Sequence, residues 1–280
     1  MQQVPAGHLV IAGSTALQPL ATSAATLFQK QYSQAKVTVR GGGSLLGLKA
    51  VTARQVDIGN SDLYADPALY PDPNLTDHIV CVVPFTMIVN LDVSVASLQR
   101  QQIIDIFSTR KIRNWQEVGG PDLPIIPVVR PTTSGTRATF RKYVLDGGDE
   151  SGTLLRTDSS TEVRRTVAQT PGAIGYLALS VFDNSVRQVA IDGQTANATA
   201  IETGKYAFWG YEHMYTLGDT NTTVAAFLDF MLSPTVQREA SRLSYIPISN
   251  MKLPTLSAAG GSSSTAIHLS ESEATLREHF

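Results

Sequence analysis

The chain has 280 residues, 42% of them hydrophobic and 16% charged, which is ordinary globular composition with room for two lobes that each have a core. A net charge of -2 offers no basic footprint for nucleic acid and no polybasic stretch for a lipid surface, so a charged ligand has to be recognised locally. The longest nearly apolar run, Ile79 to Val89, falls far short of the roughly 20 residues of a spanning helix, and Pro84 interrupts it.

In chain order, "HLVIAG" reads as a short apolar strand, after which Leu17, Leu20, Ala21, Ala24, Leu27, Phe28 and Tyr32 recur at helical spacing. "KVTVR" alternates as a strand, "GGGS" turns, and Leu45, Leu48 and Val51 suit a short helix before "VDIGNSD" returns as a strand into a polar loop. This βαβαβ rhythm implies a largely parallel sheet. "HIVCVVPFTMIVN" is a buried strand, "SLQRQQIIDIF" a helix capped by Ser97, and "PIIPVVR" a strand ending on Arg130. Ser159 and Glu162 have capping-box spacing for a helix through Gln169. "GAIGYLAL", "VRQVAID" and "YAFWGYEHMYTL" follow as strands. Two helices close the pattern, "TNTTVAAFLDFML" and "SPTVQREASRL", the second with Ser233 at its cap and Pro234 at its first position. From residue 255 to 280 the composition turns Gly- and Ser-rich, which reads as a tail or loosely packed extension.

Cys81, the only cysteine, sits within an apolar run and reads as a buried thiol. His8, His78, His213, His268 and His279 are scattered without metal-ligand spacing, so neither a metal nor a cofactor is expected. The first residues lack the basic start and long apolar stretch of a signal peptide, which leaves a cytosolic protein or one that has lost its leader.

Gly13-Ser14-Thr15, Gly41-Gly42-Gly43-Ser44 and Ser134-Gly135-Thr136 each fall where a strand hands over to a helix. A helix start carries unpaired N-H groups and about half a positive charge, glycine lets the backbone come close, and a hydroxyl adds a donor. Taken singly, helix capping is the commoner reason for a serine in such a place. Arg130 changes the weighing: it ends an apolar strand four residues before Ser134, and its planar fork matches a tetrahedral oxyanion.

"GSTALQPL", "GGGS", "DIGNSD", "RPTTSGTR" and "PGAIGYLAL", in that order, resemble the phosphate-binding proteins of bacterial phosphate ABC transporters over most of the chain, through about Asn250. The resemblance implies a periplasmic-binding-protein type II fold: two α/β lobes of mostly parallel sheet flanked by helices, joined by a two-strand hinge. It places lobe 1 at residues 1-86 and 213-254 and lobe 2 at residues 87-212. It also implies phosphate ligands at Ser14, Thr15 and the amide of Ala16, at Ser44 and Asp62, and across the cleft at Arg130, Ser134, Gly135 and Thr136. Ala16 and Leu45 depart from the pattern, replacing respectively a bulkier residue and a small one, which touches cleft shape and leaves backbone donors alone. The implied protein is an extracytoplasmic monomer that hands phosphate to a membrane permease and is held to the membrane only through a lipid anchor on a lost N-terminal cysteine.

An aspartate in an anion site needs a reason, because an ionised carboxylate only accepts hydrogen bonds. Phosphate still carries an O-H to donate to Asp62, whereas sulfate has none at neutral pH, so a buried acceptor penalises the wrong anion. A turn or cap role in "NSDLYADP" is the plain alternative. Rival readings are another oxyanion or an organic phosphate in the same fold, and an adhesin or sensor without transport. A serine hydrolase is disfavoured: Ser14, Ser44 and Ser134 lie outside any G-x-S-x-G and no histidine is placed as base. Phosphoryl transfer lacks its G-x-x-x-x-G-K-[ST] loop. Trp115, Trp209 and Tyr176, with "NWQEVGG" and "PGAIGY", are expected to pack rather than bind.

Overall fold

A computed structural model describes residues 5-154 and 158-251. The elements run β1 (Gly7–Gly13), α1 (Gln18–Gln31), β2 (Ala35–Arg40), α2 (Ser44–Thr52), β3 (Ile58–Ser61), β4 (Leu75–Val89), β5 (Ser97–Leu98), α3 (Arg100–Phe107), β6 (Ile126–Val129) and α4 (Gly135–Tyr143). They continue with β7 (Thr153–Leu154), α5 (Ser160–Gln169), β8 (Ala173–Ala178), β9 (Arg187–Ile191), α6 (Ala198–Glu202), β10 (Trp209–Leu217), α7 (Thr222–Met231), α8 (Pro234–Arg242) and β11 (Ile246–Pro247). The described residues through Ile248 form one compact unit. The expected tail, residues 255-280, lies outside the described residues.

The sheet runs β2-β1-β3-β10-β4-β8-β6-β7. β1 is parallel to β2 and β3, as the opening βαβαβ rhythm requires, and β6 is parallel to β7 and β8. β10 enters antiparallel between β3 and β4. β4 is the shared element, pairing with β10 from Leu75 to Pro84 and with β8 from Phe85 to Val89. Proline has no N-H to give a ladder and is tolerated where pairing ends; Pro84 stands at that hand-over.

Helical spacing explains what covers the sheet. Leu20, Ala21, Ala24 and Phe28 of α1 are buried, and Phe28 meets the Phe227 ring of α7 edge-on at 5.3 Å between centroids. On the far side Ile88, Val128, Val163, Val167, Ala173 and Leu177 close a second apolar layer beneath α5. Burying each of the Leu, Ile, Val and Phe side chains among these contributes about 1.5–3 kcal/mol. Trp115 is fully buried and its Nε1 donates to the Gly172 carbonyl at 2.9 Å, tying "NWQEVGG" to "PGAIGY". Tyr176 stacks on Phe140 at 4.1 Å, Trp209 is half-buried against Tyr211, and Cys81 is buried in β4.

Local signals hold at α5, capped by Ser159 on the Glu162 amide at 3.2 Å, and at α8, capped by Ser233 with Pro234 first. Ser97 is a correction: it lies in β5, and its hydroxyl accepts from Gly193, while α3 starts after Gln99, whose amide bonds to Oε1 of Gln102 at 2.8 Å. Parallel pairing of Ser97 with Ala190 holds residue 97 extended, so the cap moves two residues along.

Candidate functional site

Each of the three hydroxyl-glycine loops sits at the carboxyl end of a strand of the sheet, and the loops meet. The first helical turn begins later than the serine in the β1–α1 loop: Ser14 Oγ accepts from the amides of Ala16 and Leu17 at 3.0 and 3.1 Å, and α1 follows. Ser44 is the first residue of α2, preceded by Gly43 at φ +102°, a left-handed region glycine enters without strain. Only Ser134 is a true N-cap, accepting from the Arg137 amide at 3.2 Å.

Asp62 leaves β3 between α2 and α4. Its amide donates to Ser44 Oγ at 2.9 Å, and its Oδ2 accepts from Thr136 Oγ1 at 2.8 Å. The amide of Leu45 donates to the Thr133 carbonyl at 3.2 Å, bringing the starts of α2 and α4 against each other. Gly135 makes that approach possible, since a Cβ there would collide with Ser44 Oγ and stand 2.9 Å from the Asp62 Cβ. A Cβ on Gly43 would lie 2.6 Å from Oδ2 of Asp158.

Arg130, 1% exposed, is the large charge of the site. Its Nε donates to Oδ1 of Asp158 at 2.7 Å, and Nη2 pairs with the same oxygen. Nη1 reaches Ser160 Oγ at 3.3 Å and Nη2 reaches Thr15 Oγ1 at 2.9 Å, so the guanidinium bridges the β1–α1 loop and the start of α5. A guanidinium this buried is tolerable only when paired. Behind it, Arg137 Nη1 donates to the Arg130 carbonyl at 2.8 Å.

The residues anticipated from sequence therefore lie together: Ser14, Thr15, Ala16, Ser44, Asp62, Arg130, Ser134, Gly135 and Thr136 are all buried around the meeting point of these loops. Ala16 is anchored from behind by its carbonyl, which accepts from the Tyr245 hydroxyl. The first-turn amides of α4 have no intrahelical acceptor, as at any helix start.

Three contributors escaped the sequence reading. Asp158 and Ser160 flank the Ser159 cap, so an ordinary helix-start pattern, "TDSS", hides the arginine's partners. Glu212 is fully buried within β10. Its signal was an acid inside the otherwise apolar and aromatic "WGYEHMYTL". In β10, His213 pairs with Ser61 at the end of β3, and Glu212, the residue before it, feels the charge of Asp62, the residue after Ser61.

Burial raises the Asp62 pKa, opposed by hydrogen bonds from Ser14 and Thr136 and by the Arg130 charge. Glu212 is pushed further, well above the carboxylate range, by burial first and then by the neighbouring Asp62 charge. Oδ1 of Asp62, both oxygens of Glu212 and both amide atoms of Asn60 are buried without a well-formed hydrogen bond. The site thus combines a fixed cation, hydroxyls and helix-start amides with an open carboxylate acceptor, which is chemistry for an anion that still bears a proton. Among the described residues no group of three or more His, Cys, Asp or Glu could hold a metal ion, and no helix is long and apolar enough to cross a membrane.

A family model described as a PBP superfamily domain matches residues 2–235. The chain is 41% identical over 255 residues to the phosphate-binding protein PstS of Bacillus subtilis (strain 168), covering 90% of this chain and 84% of that one. A solved structure of a phosphate ABC transporter substrate-binding protein with bound phosphate, from Clostridium perfringens, superposes with a TM-score of 0.80 at 26% identity, covering 86% of this chain and 100% of the other. An ABC-type phosphate transport receptor from Vibrio cholerae shares the fold, with a TM-score of 0.68 at 22% identity over 85% of this chain and 99% of that one.

Proposed function

We propose that this chain, which belongs to the PBP superfamily and within it to the phosphate-binding proteins of phosphate ABC transporters, captures inorganic phosphate outside the cytoplasm and delivers it to a membrane permease. Arg130, Thr15, Ser14, Ser44, Ser134 and Thr136, with the amides of Ala16 and Gly135, surround the ion, and Asp62 accepts from its O-H. The observation that carries this reading is the coexistence, in one buried cluster, of the Arg130 guanidinium and an Oδ1 of Asp62 without a hydrogen-bond partner. A site for a fully deprotonated oxyanion has no use for a bare acceptor.

Capture works through closure. Residues 1-86 and 213-254 form one lobe and residues 87-212 the other, with β4 and β10 as the crossings; only closure brings the Asp62 and Arg130 sides onto one ion. The protein acts as a monomeric binder, is not an enzyme, needs no cofactor and reaches the membrane through its permease and a lipid anchor.

The experiment is isothermal titration of the chain with phosphate and with sulfate at neutral pH, together with Arg130→Ala. Phosphate binds and sulfate does not compete at equal concentration, and Arg130→Ala removes phosphate binding. A wild-type chain silent to phosphate, or an Arg130→Ala variant with undiminished affinity, overturns the reading.

A further inference from the structure

The floor of the site holds a second buried acid, and its charge state decides what Asp62 can do. Glu212 is fully buried in β10, close enough to Asp62 to feel its charge, with neither oxygen in a well-formed hydrogen bond. Cys81 of β4 stands opposite it in the ladder, and the ladder slips between Glu212 and His213, an irregularity of the kind that re-aims side chains next to sites.

We infer that Glu212 is a positioning residue for Asp62: of the two neighbouring carboxyls Glu212 carries a proton and Asp62 does not, so that the pair shows the ligand a single negative charge, on Asp62, whose Oδ1 remains an acceptor. This rests on the phosphate reading above, whose selectivity it explains.

The alternatives fail on charge. If both acids were ionised, two buried negative charges would face an anion, and Arg130 would be the one full positive charge acting on Asp62 against them. Arg130 is already committed to Asp158 through Nε. If both were neutral, Asp62 would become a donor and would accept a fully deprotonated oxyanion as readily as phosphate. A single proton leaves the acceptor intact, and Asp62 is the better anion because Thr136 hydrogen-bonds it and Arg130 attracts it.

Among the described residues no counter-charge acts on Glu212. From β3 it meets Asp62, from β4 the Cys81 thiol, from the approach to β11 the Tyr245 phenol, and from the β1–α1 loop the Ser14 hydroxyl. Burial keeps the thiol and the phenol neutral, each pushed well above its ordinary pKa. His213, the next residue in β10, spends its Nδ1 on Asp77 at 2.9 Å.

The test has two arms. Infrared spectra of the ligand-free wild type with 13C-labelled glutamate carboxyls, at about pH 8 and so above the range where buried Glu150 titrates (about 7), show a protonated carboxyl band that is missing from Glu212→Gln. Phosphate titrations then follow affinity across the pH range in which that band bleaches, where the wild type loses about tenfold more affinity than Glu212→Gln, a typical coupling between linked sites. Absence of the glutamate band in the wild type overturns the inference without any variant having to fold, and so do parallel affinity profiles. If the wild type binds no phosphate, the functional reading fails separately, and the band still decides where the proton sits.

Discussion

The hydroxyl of Thr136 donates to Oδ2 of Asp62 at 2.8 Å, joining residues 74 apart in the chain. That bond fixes the carboxylate plane and consumes one oxygen, leaving Oδ1 buried and unengaged. A carboxylate used only to hold two segments together would have both oxygens occupied. Here one is set aside.

Asp62→Asn tests what the free oxygen is for. The amide keeps size and can still accept from Thr136, but its second position becomes a donor and its negative charge is gone. Phosphate affinity falls modestly while the preference for phosphate over sulfate falls by on the order of a hundredfold, because the repulsion that excluded sulfate has been removed. Paired titration calorimetry reads the ratio, and an unaltered ratio removes Asp62 from the selectivity mechanism.

Asp158→Ala leaves Arg130 in the interior with hydroxyl partners alone. Breaking a buried pair on one side costs about 3–5 kcal/mol, since the stranded charge stays desolvated. An anion in the pocket would replace the missing charge, so saturating phosphate recovers part of the loss beyond its mass-action effect on the wild type. Urea unfolding with and without phosphate measures both quantities. Equal stabilisation of variant and wild type by phosphate would separate Asp158 from the ligand's charge balance.

Gly135→Ala separates folding from binding. Position 135 is the first residue of α4, where alanine is a better helix former than glycine by up to about 1 kcal/mol. The added methyl meets Ser44 Oγ, so it obstructs the approach of α2 to α4. Thermal stability without ligand is expected within about 1 kcal/mol of wild type, while phosphate affinity falls more than tenfold. Small-angle scattering checks the cause: the variant does not contract on adding phosphate.

Periodicity revealed the strand-helix alternation because each element buries one face, and α1, β1 and β4 needed no more than that. The site loops were legible because glycine and hydroxyls at strand ends have few local uses besides capping, and Arg130 at the end of β6 removed that ambiguity. Ser97 misled because a serine before a helical pattern suggests a cap whether or not a neighbouring strand claims its backbone. Asp158, Ser160 and Glu212 were invisible for a different reason. Their roles come from long-range placement: Asp158 is 28 residues from Arg130, and Glu212 meets Asp62 only after β10 inserts beside β3.

Glu150 makes the fold itself sensitive to pH. Its carboxyl is fully covered, 2.8 Å from Arg137 Nε and beside the Tyr176 hydroxyl. An ion pair this short would ordinarily lower a carboxylate pKa, yet burial outweighs Tyr176 and Arg137 together and raises Glu150 to about 7. The folded state therefore holds a proton that the unfolded chain gives up near the ordinary value of 4.5. Stability from this group is complete below that ordinary value and is lost as pH rises toward 7, at up to about 1.4 kcal/mol per pH unit, flattening above. Glu150→Gln, permanently neutral, removes this group's share of the slope. The urea midpoint of the variant should fall less steeply than the wild type's between about pH 5 and pH 7, the remaining slope belonging to the other buried acids, Glu212 and Asp62, and matching declines would show that Glu150 does not contribute in that window.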